Sequence, residues 1–154
     1  MNRRIVTCAA FAVVAGLLVA PAGAAKKRTV ITGSYHLNAA PNPSLEAVQF
    51  VKHGCDQSVP LGAANHPFTV PAAGTLHVVL QGSDPTGGAA PDGLGPDWDL
   101  FLLDRDGTLV DESSNPGAHE ETYDGFKAKQ GLVIQACNLT GLPDATVTWS
   151  FTYK

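Results

Sequence analysis

Five aspartates, Asp92, Asp97, Asp99, Asp104 and Asp106, fall within fifteen residues of one another. Hard cations take several carboxylate and carbonyl oxygens at once, and loops at strand ends can supply them. Asp97 and Asp99 would share one side of a strand. A calcium site built from Asp97, Asp99, Asp92 and Asp104 is therefore one expectation. The competing reading makes them turn residues, because an aspartate side chain bonds nearby backbone amides. No Glu stands at the twelfth position of a loop begun at Asp92 or Asp97, so the EF-hand spacing is absent.

Five histidines, His36, His53, His66, His77 and His119, show neither H-E-x-x-H nor H-x-H spacing. Any zinc or catalytic cluster among them would have to be assembled by the fold. Ser34, Ser113 and Ser114 lack the G-x-S-x-G context of a nucleophile elbow. No catalytic residue is assigned, and the chain is not expected to be an enzyme. Trp98 flanks a long polar stretch and is the expected ligand-facing aromatic. Trp149 is expected in the core, because it alternates with Val147, Phe151 and Tyr153.

Cys8, Cys55 and Cys137 are the three cysteines. Cys8 lies in an apolar segment, Ile5 to Ala20, that carries no charge. Arg3 and Arg4 precede that segment, and Ala22-Gly23-Ala24 follows it. This is the layout of a secretory signal peptide, with cleavage expected after Ala24. The run is shorter than the ~20 residues a membrane span needs, so no membrane association is expected after cleavage. Cys55 and Cys137 then remain as an even pair in an exported chain. An oxidising compartment favours a disulfide between them; the rival is a metal site that includes His53.

Loss of residues 1–24 removes two of ten bases and none of the fourteen acids. Net charge moves from −4 to 8 − 14 = −6. Ten of the fourteen acids lie between Asp92 and Asp124, with Arg105 as the single base there. Such a stretch repels phosphate backbones, which excludes nucleic acid as a partner class. An extracellular protein or polysaccharide is the partner class expected.

These residues must be positioned by strands. Gly and Pro punctuate the chain too often for helices of ten residues or more. Strands are expected at Arg28 to Tyr35, Phe68 to Val70, Thr75 to Leu80, Asp97 to Leu103, Thr108 to Asp111, Glu121 to Phe126, Leu132 to Cys137 and Ala145 to Tyr153. Ser44 to Val51 reads either as a capped helix or, better, as a strand. Asp106-Gly107 between apolar runs signals a hairpin. About eight strands without crossover helices imply an all-β fold, two antiparallel sheets packed face to face. Residues 25–154 form one such domain. Residues 82–96 form a loop long enough to be functional.

From Pro67 to Tyr153 the chain resembles the bacterial pre-peptidase C-terminal domain, a jelly-roll-like β-sandwich found on secreted peptidases and other exported proteins. Phe68-Thr69-Val70-Pro71-Ala72-Ala73-Gly74-Thr75-Leu76 is similar to its strand-turn-strand opening. Asp97-Trp98-Asp99-Leu100-Phe101-Leu102 is similar to its Asp-x-Asp-Leu-x-Leu strand, and Asp104 to Val110 to the hairpin that follows. Glu121-Thr122-Tyr123 stands where an acidic, Thr-rich strand is common. The late Gly-x-Tyr strand is replaced by Gly131-Leu132-Val133. Some members bind calcium with acids from the entering segment, and Ala25 to Leu45 contains none. The resemblance implies a small secreted accessory or binding module. Two alternatives are a calcium-stabilised carbohydrate- or protein-binding sandwich, and a secreted hydrolase or inhibitor.

Overall fold

The computed structural model describes residues 29–42, Cys55, 62–84 and 95–154. The expected export segment and Ser44 to Val51 lie outside those residues, as does most of the 82–96 loop.

Eight strands make up the described chain: β1 (Val30–Asn38), β2 (Ala63–Val70), β3 (Gly74–Gly82), β4 (Asp97–Asp104), β5 (Leu109–Ser113), β6 (His119–Phe126), β7 (Gln130–Thr140) and β8 (Asp144–Tyr153). They form two antiparallel four-stranded sheets, ordered β1-β8-β3-β6 and β2-β7-β4-β5. The all-β, two-sheet expectation holds, and each of the eight expected segments is a strand.

Period-two patterning explains the pairing of the sheets. In β3 the residues Leu76, Val78 and Leu80 are fully buried and alternate with the more exposed Thr75, His77 and Val79. In β8 Ala145, Val147 and Phe151 do the same. They meet Val70, Leu100, Leu102, Leu132 and Ile134 of the opposing sheet in one core. Full burial of each large aliphatic or aromatic side chain is worth about 1.5–3 kcal/mol relative to exposure.

β4 breaks the alternation. Its DLFLL run is buried on both faces. Leu100 and Leu102 point to the main core, while Phe101 and Leu103 point outward into a second cluster with Cys55, Cys137 and Leu139. A strand covered on both sides reads as a continuous apolar run. The expected disulfide joins Cys55 to Cys137, with Cα atoms 5.9 Å apart. Cys55 N also donates to Gln135 Oε1 at 2.7 Å, and Gln135 Nε2 donates to Asn65 Oδ1 at 2.8 Å. The buried Gln135 amide is thereby satisfied at both ends.

Among the eight strands, β4 and β5 are the one consecutive pair that are neighbours in a sheet. Their turn uses the predicted Asp106-Gly107. Asp104 Oδ1 accepts from Asp106 N at 2.8 Å, and Asp106 Oδ1 accepts from Thr108 N at 3.0 Å. Gly107 sits at φ +87°, where a side chain is disfavoured. The turn Pro71-Ala72-Ala73 has a different role. It carries the chain from β2 in one sheet to β3 in the other.

The sheet edges are matched. At one side Tyr35 of β1 stacks on His66 of β2 with ring centroids 3.9 Å apart, and Phe68 meets Trp149 edge-on at 5.0 Å. At the other side Ser113 Oγ of β5 donates to Glu120 of β6.

Candidate functional site

Among the described residues the fold does not gather the expected acidic constellation. Asp99 is buried opposite Cys137 on the covered outer side of β4. Asp97 pairs with Thr140, with a register irregularity before Trp98. Asp104 lies at the far end of the same strand, seven residues on, which is roughly 23 Å at the usual rise. There it shapes the β4–β5 turn, as Asp106 does. Hydrogen bonds from Thr108 hold the Asp106 carboxyl below its usual range. Asp92 lies outside the described residues. Among the described residues no three His, Cys, Asp or Glu side chains stand ready around a cation-sized point.

Of the two tryptophans, Trp98 departs from its expected place and Trp149 packs against the core as expected. Trp98 is fully buried, packed beside Gly82 and Ala118, and is no surface platform. The reason is strand parity: Trp98, Leu100 and Leu102 occupy the same inward face. A Cβ on Gly82 would stand 2.9 Å from Trp98 Nε1, so the indole needs glycine there. Trp149 does point inward with Val147 and Phe151. It is only half-buried because the edge strands β1 and β2 are its cover.

The outer faces of the two sheets differ in kind. That of β2-β7-β4-β5 carries the apolar cluster to which Cys55 is tied. That of β1-β8-β3-β6 is polar and exposed. It presents Thr32, Ser34 and His36 from β1, then Thr146, Thr148 and Ser150 from β8. Beside them stand His77, Val79 and Gln81 from β3, and His119, Glu121 and Tyr123 from β6. Among the described residues Tyr123 is the most exposed large aromatic, at 70%. An open depression of about 410 Å³ lies on this face, lined by Thr32, Gly33, Ser34, His77, Val79, Thr148, Trp149 and Ser150. That size is within the range of small-ligand sites.

Local hydrogen bonds order the face. His36 Nδ1 and Thr146 Oγ1 are 3.0 Å apart across the β1–β8 pair. His119 Nδ1 meets Gln81 Oε1 at 3.0 Å, and His77 Nε2 bonds Glu121 Oε1. The His77 and Tyr123 rings lie 5.6 Å apart, centroid to centroid.

Beneath this face, Glu120 points the other way. It is buried against β5, where Ser113 Oγ and Asn115 N donate to it. Burial raises its carboxyl above the usual range; the two donors lower it, and the Asp97 charge adds to the rise. At the opposite edge, burial pushes the Tyr35 phenol far above its usual range.

No protein-family model matches the chain, and no curated protein matches it. Solved structures do. In fold the chain is similar to a pre-peptidase C-terminal domain. That domain belongs to a collagenase from Bacillus anthracis, at 14% identity and a TM-score of 0.37, covering 79% of this chain and 86% of that one. A mitogen from Yersinia pseudotuberculosis is similar at 10% identity and a TM-score of 0.40, covering 82% and 87%. An antigen and type I fimbria protein from Burkholderia pseudomallei is similar at 14% identity and a TM-score of 0.34, covering 81% and 100%.

Residue-by-residue reading missed the exposed face because its members come from four strands distant in sequence. One signal was present. Thr146, Thr148, Ser150 and Thr152 alternate in sequence with Val147, Trp149, Phe151 and Tyr153, which marks a polar side of β8, and β8 is a central strand.

Proposed function

We propose that the chain is a small exported, non-catalytic binding module that holds neutral polysaccharide on the outer face of β1-β8-β3-β6. The observation that carries this reading is the asymmetry of the sandwich. One outer face is closed by an apolar cluster and a disulfide. The other is a broad exposed surface of hydroxyls, imidazoles and the Tyr123 ring around a depression that Trp149 helps to line. Threonine and serine hydroxyls both donate and accept, which suits sugar hydroxyls. No carboxylate is among the described residues that line the depression, and its His77 bonds Glu121, so the lining itself carries little charge to demand an ionic ligand. The Cys55–Cys137 bridge supports an oxidising compartment, in keeping with export and removal of residues 1–24.

The test is co-sedimentation with insoluble chitin, cellulose and peptidoglycan. Retention on at least one of them, weakened about tenfold or more in Thr148→Arg, is expected, a loss of about 1.4 kcal/mol. Thr69→Arg, on the opposite sheet, should bind as the parent does. No retention on any of the three overturns the polysaccharide reading.

A further inference from the structure

We propose that β1 is a self-association edge: two copies of the chain pair through it, antiparallel, about a two-fold axis at Ser34. Among the described strands the sheet edges are β1 and β6 on one side, β2 and β5 on the other. An open edge invites pairing, and proteins protect it with short strands, proline, charge or bulges. β5 is five residues long and carries Asp111 and Glu112. β6 carries Glu120, Glu121 and Asp124, and β2 carries Pro67. β1 has none of these devices. Its nine residues, VITGSYHLN, include no proline and no charged side chain, and they run against β8 without a register shift. Val30 and Ile31 at its start are exposed hydrophobics.

Two hydrogen bonds fix the direction of its backbone groups. Tyr153 N donates to Thr29 O at 3.0 Å, and Ala39 N donates to Pro143 O at 2.8 Å. Both continue the β1–β8 register, so the odd-numbered residues of β1 aim their N–H and C=O groups at β8. Val30, Thr32, Ser34, His36 and Asn38 turn theirs the other way. Among the described strands β8 is the one sheet neighbour of β1, so this outer row is a template for a further strand.

A second copy of β1 suits that template. A two-fold axis at Ser34 is the symmetric register that pairs all nine residues. It sets outward-turned groups against outward-turned groups: Ser34 opposes Ser34, Thr32 opposes His36, and Val30 opposes Asn38. On the inward side Ile31 opposes Leu37 and Gly33 opposes Tyr35, apolar against apolar and small against large. Charge selects the same edge. At β5 and β6 the carboxylates of one copy would face those of another, whereas β1 brings no like charges together. Pairing also sets two depressions, each lined by Thr32 and Ser34, side by side on one continuous sheet. On the polysaccharide reading, a long polymer is then held twice.

The experiment is sedimentation velocity of the untagged chain, without sugar, from about 1 to about 300 µM. A contact one strand wide is a small interface, so reversible dimerisation with a dissociation constant of roughly 1–100 µM is expected. Ser34→Pro removes an N–H that β8 does not use, and Ser34→Lys puts like charges together on the axis. Each should weaken the dimer at least about tenfold while the circular dichroism stays that of the parent. Thr69→Lys, on edge β2, should dimerise as the parent does. Residues in a hydrogen-bonded antiparallel pair have Cα atoms about 5.5 Å apart, within disulfide reach. Ser34→Cys should therefore cross-link two copies on mild oxidation, and Thr69→Cys should not. A chain that stays monomeric throughout overturns the proposal. So does a dimer that survives both Ser34→Pro and Ser34→Lys, or one that Ser34→Cys fails to cross-link. With no sugar present, these outcomes are independent of polysaccharide binding.

Discussion

Gly33 and Trp149 face each other across the β1–β8 ladder, and the indole occupies the space that a side chain on Gly33 would need. A Cβ there would lie 2.6 Å from Trp149 Cε2 and 2.9 Å from its Nε1. Gly33→Ala should therefore destabilise the fold by about 1–3 kcal/mol through overpacking. Gly125, on the opposite edge strand, has nothing within 4 Å of a built Cβ. Gly125→Ala should stabilise by about 0.4–1 kcal/mol, through the less flexible unfolded chain. Urea denaturation of both variants checks the opposite signs.

The tryptophans give a second pair of outcomes. Trp98 is fully buried, so Trp98→Ala should cost about 3–5 kcal/mol. Trp149 keeps part of its surface in water, and Trp149→Ala should cost at least about 1 kcal/mol less. Equal losses in denaturant midpoint at equal slope would contradict the placement.

The disulfide closes 82 residues of chain. On the chain-entropy account its loss should cost roughly 4.5 kcal/mol. Cys55→Ser with Cys137→Ser should lower the melting point strongly, and the second apolar cluster at Phe101 and Leu103 should gain hydrogen exchange before the main core does.

Glu120 sets a pH dependence. Its folded-state carboxyl is raised by burial, so the folded chain holds the proton more tightly than the unfolded one. Stability from this group is present below the ordinary carboxylate pKa. It is lost as pH rises through the raised value. Glu120→Gln should flatten that decline and leave the variant more stable than the parent at neutral pH. Melting curves from pH 4 to pH 8 in chelator-containing buffer, about 0.5 unit apart, read the difference.

The same residues show what a sequence can disclose. The strands of β3 and β8 were legible because each has one wet and one dry face, and period two follows. The β4–β5 hairpin was legible because Asp-Gly meets a local backbone demand. β4 was legible as a strand, but the run DLFLL hides which side is outward, since both are dry. Trp98 was misplaced by weighing its neighbouring loop above its parity with Leu100 and Leu102. Closeness in sequence overstated the acidic cluster, because strand length separates its members: Asp97 and Asp104 sit at opposite ends of β4. His77 and Glu121 meet only because β3 and β6 pair, and nothing local in either segment announces that register.

The central claim is that the exposed face, and not the disulfide-bearing one, contacts the ligand. Amide chemical-shift mapping with soluble chito- and cello-oligosaccharides tests it most directly. Shifts centred on Ser34, Val79, Thr148 and Ser150 are the predicted result. Shifts centred on Phe101, Val133 and Leu139, or none with either oligosaccharide, would contradict it.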